Sequence, residues 1–149
     1  MIKYNIEAVL QCREEMLSLL DEHYEELTLN KEIVKLNPNW PEYDRREKAG
    51  KFIYITARDD GVLIGYSAWF IDYHIHYADL KVAMNDVIFL KKDYRQGMTG
   101  IKLIKYSEAT MKQFGVNKIV WHIKESNDFR PILERMGYNT EDIIVGKIV

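Results

Sequence analysis

One run constrains this chain more than any other: residues 81–124, KVAMNDVIFLKKDYRQGMTGIKLIKYSEATMKQFGVNKIVWHIK. An apolar, β-branched stretch leads into a short loop with glycines at 97 and 100, then an amphipathic helix, then a second apolar stretch. Two strands flanking a helix in this way lie parallel in one sheet, with the helix crossing a sheet face. Ile101, Ile104, Met111 and Phe114 fall on one side of that helix, and Gly115 stops it as a C-cap glycine would. The loop admits two readings. It is a turn whose glycines only supply unusual backbone angles, or it is a cradle whose unpaired helix N-terminal amides face an anion.

The remaining chain reads as strands and helices around that unit. After a short N-terminal piece, Asn5 is placed to cap a helix carrying Ile6, Val9, Leu10, Met16, Leu17, Leu20, Tyr24 and Leu27 at helical spacing. Pro38 and Pro41 break LNPNWPEY, and a short polar helix over 41–49 ends at Gly50. KFIYITARDD (51–60) and VLIGYSAWFIDY (62–73) are strands joined at Asp60-Gly61, a strong hairpin signal. A loop through the histidines precedes a strand over 81–90, and NKIVWHIK, DFRPILERMG and EDIIVGKIV read as strand, helix and final strand. The expected order is β-α-α-β-β-β-α-β-α-β, an α/β sheet with helices on its faces and a single domain over 1–149.

Composition narrows the function. A net charge of −2 gives no basic field and argues against nucleic acid as partner. The lone Cys12 excludes an internal disulfide and any cysteine-rich zinc site, and suits a reducing cytoplasm. No apolar run reaches the ~20 residues of a membrane span, and the N-terminus lacks a signal-peptide pattern. His74 and His76 alternate as a pair of metal ligands in a strand would, but HIHY reads as a loop, so no metal is expected. None of Ser18, Ser67, Ser107 and Ser126 sits in a nucleophile elbow.

Nearly the whole chain resembles the GNAT acyltransferase superfamily, in element order and in YRQGMTGIKLIKY. That stretch is similar to the family's pyrophosphate loop, Gln/Arg-x-x-Gly-x-Gly/Ala. Arg95 stands first, Gly100 last, and Met98 replaces the middle glycine, with Gly97 one place early. ILERMGY is similar to a late Tyr-x-x-x-Gly-Phe/Tyr signature, although the tyrosine often used there as general acid falls at Leu133. A narrower resemblance is to a GNAT-like group common in tailed phages. It rests on His23-Tyr24-Glu25-Glu26, His74-Ile75-His76-Tyr77, Asn85-Asp86 and Val120-Trp121-His122. The fold implied is a mixed, mainly antiparallel sheet with a β-α-β acyl-CoA-binding unit and helices on both faces.

The activity implied is transfer of an acetyl group from acetyl-CoA to a primary amine, on a small molecule or a protein, without a metal. The alternative is an inactive GNAT-shaped module that occupies a host or phage protein. Arg95, Gln96, Gly97, Met98, Thr99, Gly100 and Ile101 would hold the cofactor pyrophosphate, with strand amides from Val87 to Phe89 at the thioester. Asp86 lies in an apolar strand, where burial raises a carboxylate's pKa toward that of a general base; His76 is the other candidate. Strict alternation puts Asn85 with Val87 and Phe89, and Asp86 on the opposite face. His23, Glu26, Tyr43 and His122 are the acceptor-binding candidates. The family often dimerises through its late strands, and the apolar tail EDIIVGKIV would suit a homodimer.

Overall fold

The computed structural model describes residues 1–149. Five strands form one sheet in chain order: β1 (Ile2–Ile6), β2 (Phe52–Asp59), β3 (Val62–His74), β4 (Tyr77–Leu90) and β5 (Lys118–Trp121). The first four pair antiparallel and β5 runs parallel to β4. Helices α1 (Arg13–Leu27) and α2 (Trp40–Lys48) precede the hairpin, α3 (Thr99–Gln113) crosses between β4 and β5, and α4 (Arg130–Arg135) follows.

The central strands read as continuous apolar runs because both faces of the sheet are covered. Phe52, Tyr54, Tyr66, Ala68 and Phe89 point toward α1 and α2, packing with Met16 and Leu19. Ile53, Ile55, Ile64, Trp69 and Ile71 point the other way, against Leu103 and Met111 of α3. Asp60-Gly61 turns the β2–β3 hairpin, both residues at positive φ, as the sequence predicts.

Three boundaries depart from the sequence reading. Asn5 does not cap a helix: residues 2–6 pair with β2, and the first helix begins at Arg13 after a turn that buries Val9 and Cys12. The partner strand satisfies backbone groups that the local pattern assigned to a helix. Strand β4 starts at Tyr77 rather than 81, leaving only Ile75 and His76 between it and β3. EDIIVGKIV forms no strand; Ile143, Ile144 and Val145 are exposed, with no neighbouring strand to supply the ladder that strand-prone residues require.

Two features of the frame give measurable expectations. Gly65 pairs with Leu90, and a Cβ there would stand 2.6 Å from the Phe89 carbonyl oxygen. Gly65→Ala is therefore expected to cost about 1–3 kcal/mol in urea unfolding, as overpacking against backbone does. A second core device is the carboxylate of Glu7, which accepts from Arg58 Nε at 2.8 Å, Arg58 Nη2 at 3.0 Å and Cys12 Sγ at 3.1 Å. Chiefly through Arg58, its pKa is held down to about 2. A depressed carboxylate stabilises the fold above its unfolded pKa, and that contribution disappears as pH falls toward the folded value. Acid unfolding between roughly pH 4.5 and 2 is expected to be less steep in Glu7→Gln, followed by circular dichroism.

Candidate active site

The chain leaves β4 through a single turn of 3₁₀ helix (Lys92–Tyr94) and enters α3 through Gln96, Gly97 and Met98. Gly97 adopts φ +81°, the left-handed conformation that glycine reaches without strain. Met98 is the residue before the helix, and its side chain is half exposed. No backbone N–H from Gln96 to Ile101 donates to an acceptor of this chain; the first helical bond runs from Lys102 N to Met98 O at 2.8 Å. These amides cluster at the positive end of a fifteen-residue helix, where an anion is favoured. A Cβ on Gly100 would meet only Leu90 Cδ2, at 3.8 Å, so packing does not demand a glycine there.

Arg95 is used differently from the sequence reading. Its Nη1 and Nη2 donate to the two Glu26 carboxylate oxygens at 2.6 and 2.8 Å, and its Nε donates to Leu90 O at 2.7 Å. The guanidinium also lies 5.2 Å over the Phe89 ring. This fork fastens the loop to the end of α1 and to β4. Glu26 is held by the same pair, which lowers its pKa, and it does not line the larger cavity described below.

Beside the loop, β5 stays with β4 only from Val82 to Asn85, while β4 continues for five more residues. From Asp86 onward one edge of β4 is open. Lys91 N bonds to Ile64 O, so by antiparallel alternation Phe89 and Val87 also turn their amides to β3. The amides that face the open edge belong to Ile88 and Leu90; of the stretch from Val87 to Phe89 only Ile88 turns its amide there, while Val87 and Phe89 do not. A cavity of about 200 Å³ lies here, bounded by Ile88, Leu90, Gly97, Gly100, Phe129 and Ile132.

On the α1 side of the sheet lies a larger cavity, of about 410 Å³, walled by aromatic and apolar side chains from α1, α2 and β2–β4. Tyr43, Tyr54, Tyr66 and His23 line it, and Asp86 and Val87 form its floor against β4. The two cavities thus reach adjacent residues of one strand, Val87 and Ile88.

Asp86 owes its position to a β-bulge. Ala68 pairs with Val87 and Trp69 with Asn85, so Asp86 is an extra residue with no partner across the ladder. The bulge corrects the alternation read from VAMNDVIFL: Asn85 goes to the Trp69 side, fully buried, and Asp86 goes to the cavity side. Asn85 Nδ2 holds the bulge, lying 3.2 Å from Ser67 Oγ and 3.1 Å from both Ala68 O and Val87 O. Asp86 makes no hydrogen bond or ion pair within the chain. Burial pushes its pKa up, and the nearby His122 opposes this.

The other predicted residues separate. His23 lines the large cavity, hydrogen-bonded through Nδ1 to Tyr66 Oη at 2.7 Å and stacked 5.0 Å from Phe89. Burial brings its pKa down to about 4, so the ring is neutral at pH 7. His122 is exposed just beyond β5, close enough for its charge to reach Asp86. His76 is exposed in the β3–β4 turn, ten residues and roughly 30 Å along the strand from Asp86, and does not join the site. Tyr54, Tyr66 and Lys124 also line the larger cavity and were missed, since nothing in their local pattern distinguishes them from core or surface residues. Leu133 is buried in α4, so no hydroxyl occupies that position. No group of three or more His, Cys, Asp or Glu side chains is arranged to hold a metal ion.

A model of the acetyltransferase (GNAT) family matches residues 13–138. Similar solved structures include a ribosomal-protein-alanine N-acetyltransferase from Brucella melitensis biovar Abortus, at 15% identity over 100% of this chain and 99% of that one, with a TM-score of 0.73. Glucosamine-6-phosphate N-acetyltransferase from Arabidopsis thaliana is similar at 15% identity, 99% and 98% coverage and a TM-score of 0.72. An aminoglycoside acetyltransferase from an uncultured soil metagenomic sample gives 14% identity, 100% and 98% coverage and a TM-score of 0.77. At these identities the likeness is one of fold. No curated protein sequence matches the chain.

Proposed function

The chain belongs to the GNAT acetyltransferase family, and from that premise we propose that it is an acetyl-CoA-dependent N-acetyltransferase that acylates a primary amine by direct transfer. The observation that carries this reading is the run of unpartnered amides from Gln96 to Ile101, opening beside a cleft that borders Ile88, next in the strand to the Val87 that lines the larger cavity. Acetyl-CoA supplies an activated acyl group with a thiolate leaving group. The amides at the start of α3 hold its pyrophosphate, and the Ile88 amide on the open edge polarises the thioester carbonyl.

Asp86 takes the proton of the incoming ammonium. The free amine forms the new C–N bond, the C–S bond breaks, the thiolate leaves with the electron pair, and the second proton that the nitrogen sheds on becoming an amide passes to that thiolate. A thiolate needs no strong acid to depart, which accommodates Leu133. Arg95 and Glu26 are positioning residues that fix the loop, and His76 has no part in the reaction. The separated motifs support assignment to the phage GNAT-like group, working as a single domain in the cytoplasm where acetyl-CoA is available. No helix is long and apolar enough to cross a membrane.

The testing experiment is a thermal-shift titration with acetyl-CoA and CoA, run on the native chain and on Gly100→Trp. The native chain is expected to be stabilised by about 2.7 kcal/mol at a hundredfold excess over Kd. Gly100→Trp should fold and lose that response, because a Cβ there meets only Leu90 Cδ2, at an unstrained 3.8 Å, and the position borders the cavity of about 200 Å³. No shift at millimolar acetyl-CoA would overturn the cofactor reading.

A further inference from the structure

The larger cavity carries an unmatched charge pair. Asp86 is the one carboxylate on its wall and pairs with nothing in the chain. Two cations reach the same wall, Lys35 and Lys124. Lys35 has no carboxylate partner either, but its ammonium donates a hydrogen bond to Lys31 O at 2.8 Å. Lys124 pairs with no carboxylate, lies two residues past His122, and is close enough to the His23 ring to lower its basicity. Some neighbouring charges are matched, Glu26 with Arg95, Glu42 with Arg45 and Arg46, and Lys51 with Asp72, while Arg13 lies over the Trp40 ring without an ion pair. The rest of the wall is largely apolar and aromatic, with Leu20, Trp40, Tyr43, Phe52 and Tyr54.

We infer that the acceptor is a free α-amino acid with a large apolar or aromatic side chain, its amine at Asp86, its carboxylate at Lys124 and its side chain against Trp40, Tyr43 and Phe52. This rests on the acetyltransferase reading above and names the substrate class of that site. A polyamine or aminoglycoside carries several ammonium groups. Each one beyond the first would lose its hydration here with no carboxylate to receive it. An amine lacking the carboxylate would leave Lys124 unpaired. A short polar amino acid would leave the aromatic wall wet. The transfer itself is unchanged: the α-nitrogen gains the acetyl carbon, the C–S bond of acetyl-CoA breaks, and one proton passes to Asp86.

The test pairs binding with turnover. Phenylalanine, phenethylamine, glycine, spermidine and tobramycin are titrated calorimetrically against the chain, and each is assayed for thiol release from acetyl-CoA. Phenylalanine is expected to bind and react at least tenfold better than each of the others. In Lys124→Ala the ratio of phenylalanine to phenethylamine should fall tenfold or more. A preference for spermidine or tobramycin, equal use of phenethylamine, or an unchanged ratio in Lys124→Ala would overturn the inference while leaving the enzyme reading intact. Selective phenylalanine binding without thiol release would keep the acceptor class and sink the transferase.

Discussion

Asp86→Asn is expected to lower kcat/KM for acetyl transfer by about 10²–10⁴-fold, the range that general-base catalysis supplies. The substitution conserves shape at a residue with no hydrogen bond or ion pair to lose and removes a buried charge that weighs against the folded state above its raised pKa, so unfolding midpoints at neutral pH should not fall and should rise slightly. The pH profile separates catalysis from packing. Burial raises the Asp86 pKa above its ordinary 3.8, so the native rate should fall as pH drops through that raised value and the base becomes protonated. In the asparagine variant this acidic limb should vanish, leaving a residual rate that tracks the free-amine fraction of the acceptor. Thiol release followed over the whole pH range in which the protein stays folded reads both effects. A loss below about threefold would remove Asp86 from the chemistry.

Trp69→Ala is expected to cost about 3–5 kcal/mol, a large part of the 5–15 kcal/mol that holds a domain of this size together. The indole is fully buried, packs edge-on against Trp121 at 4.6 Å, and stands opposite Asn85. Its removal opens a cavity between the sheet and α3 that neighbouring strands cannot close without leaving their ladder. Urea denaturation should show a lower midpoint with an unchanged slope. Trp69→Phe keeps a ring in place and removes an indole N–H that has no partner, so it should cost much less. Equal losses in the two variants would mean that the position is not packed as described.

Most of the frame was legible in the sequence because its signals are local. The Asp60-Gly61 turn, the β-branched runs beside it, and the helix from Thr99 ended by Gly115 follow from backbone preferences within a few residues. What escaped depends on partners distant in the chain. Asn5 looks like a cap until β2 is laid beside it, and Arg95 looks free until Glu26 arrives from sixty-nine residues away. The side of the sheet that Asp86 faces could not be read from VAMNDVIFL. A bulge is defined by the count of residues on the opposite strand, and the apolar pattern on either side continues without a mark. The tail misled for the converse reason: its residues favour a strand, and no strand is there to receive it.

The bulge also separates the residue proposed to do the chemistry from the residues that keep the fold. Because Asp86 is supernumerary, deleting it would bring Asn85 and Val87 into ordinary succession, each still opposite its present partner on β3. In a regular strand the loss of one residue turns everything beyond it to the wrong face. Here one codon could be gained or lost with the neighbouring layers undisturbed. A lineage carrying this sheet can therefore acquire, discard or reacquire a carboxylate on the wall of the larger cavity without rebuilding its core.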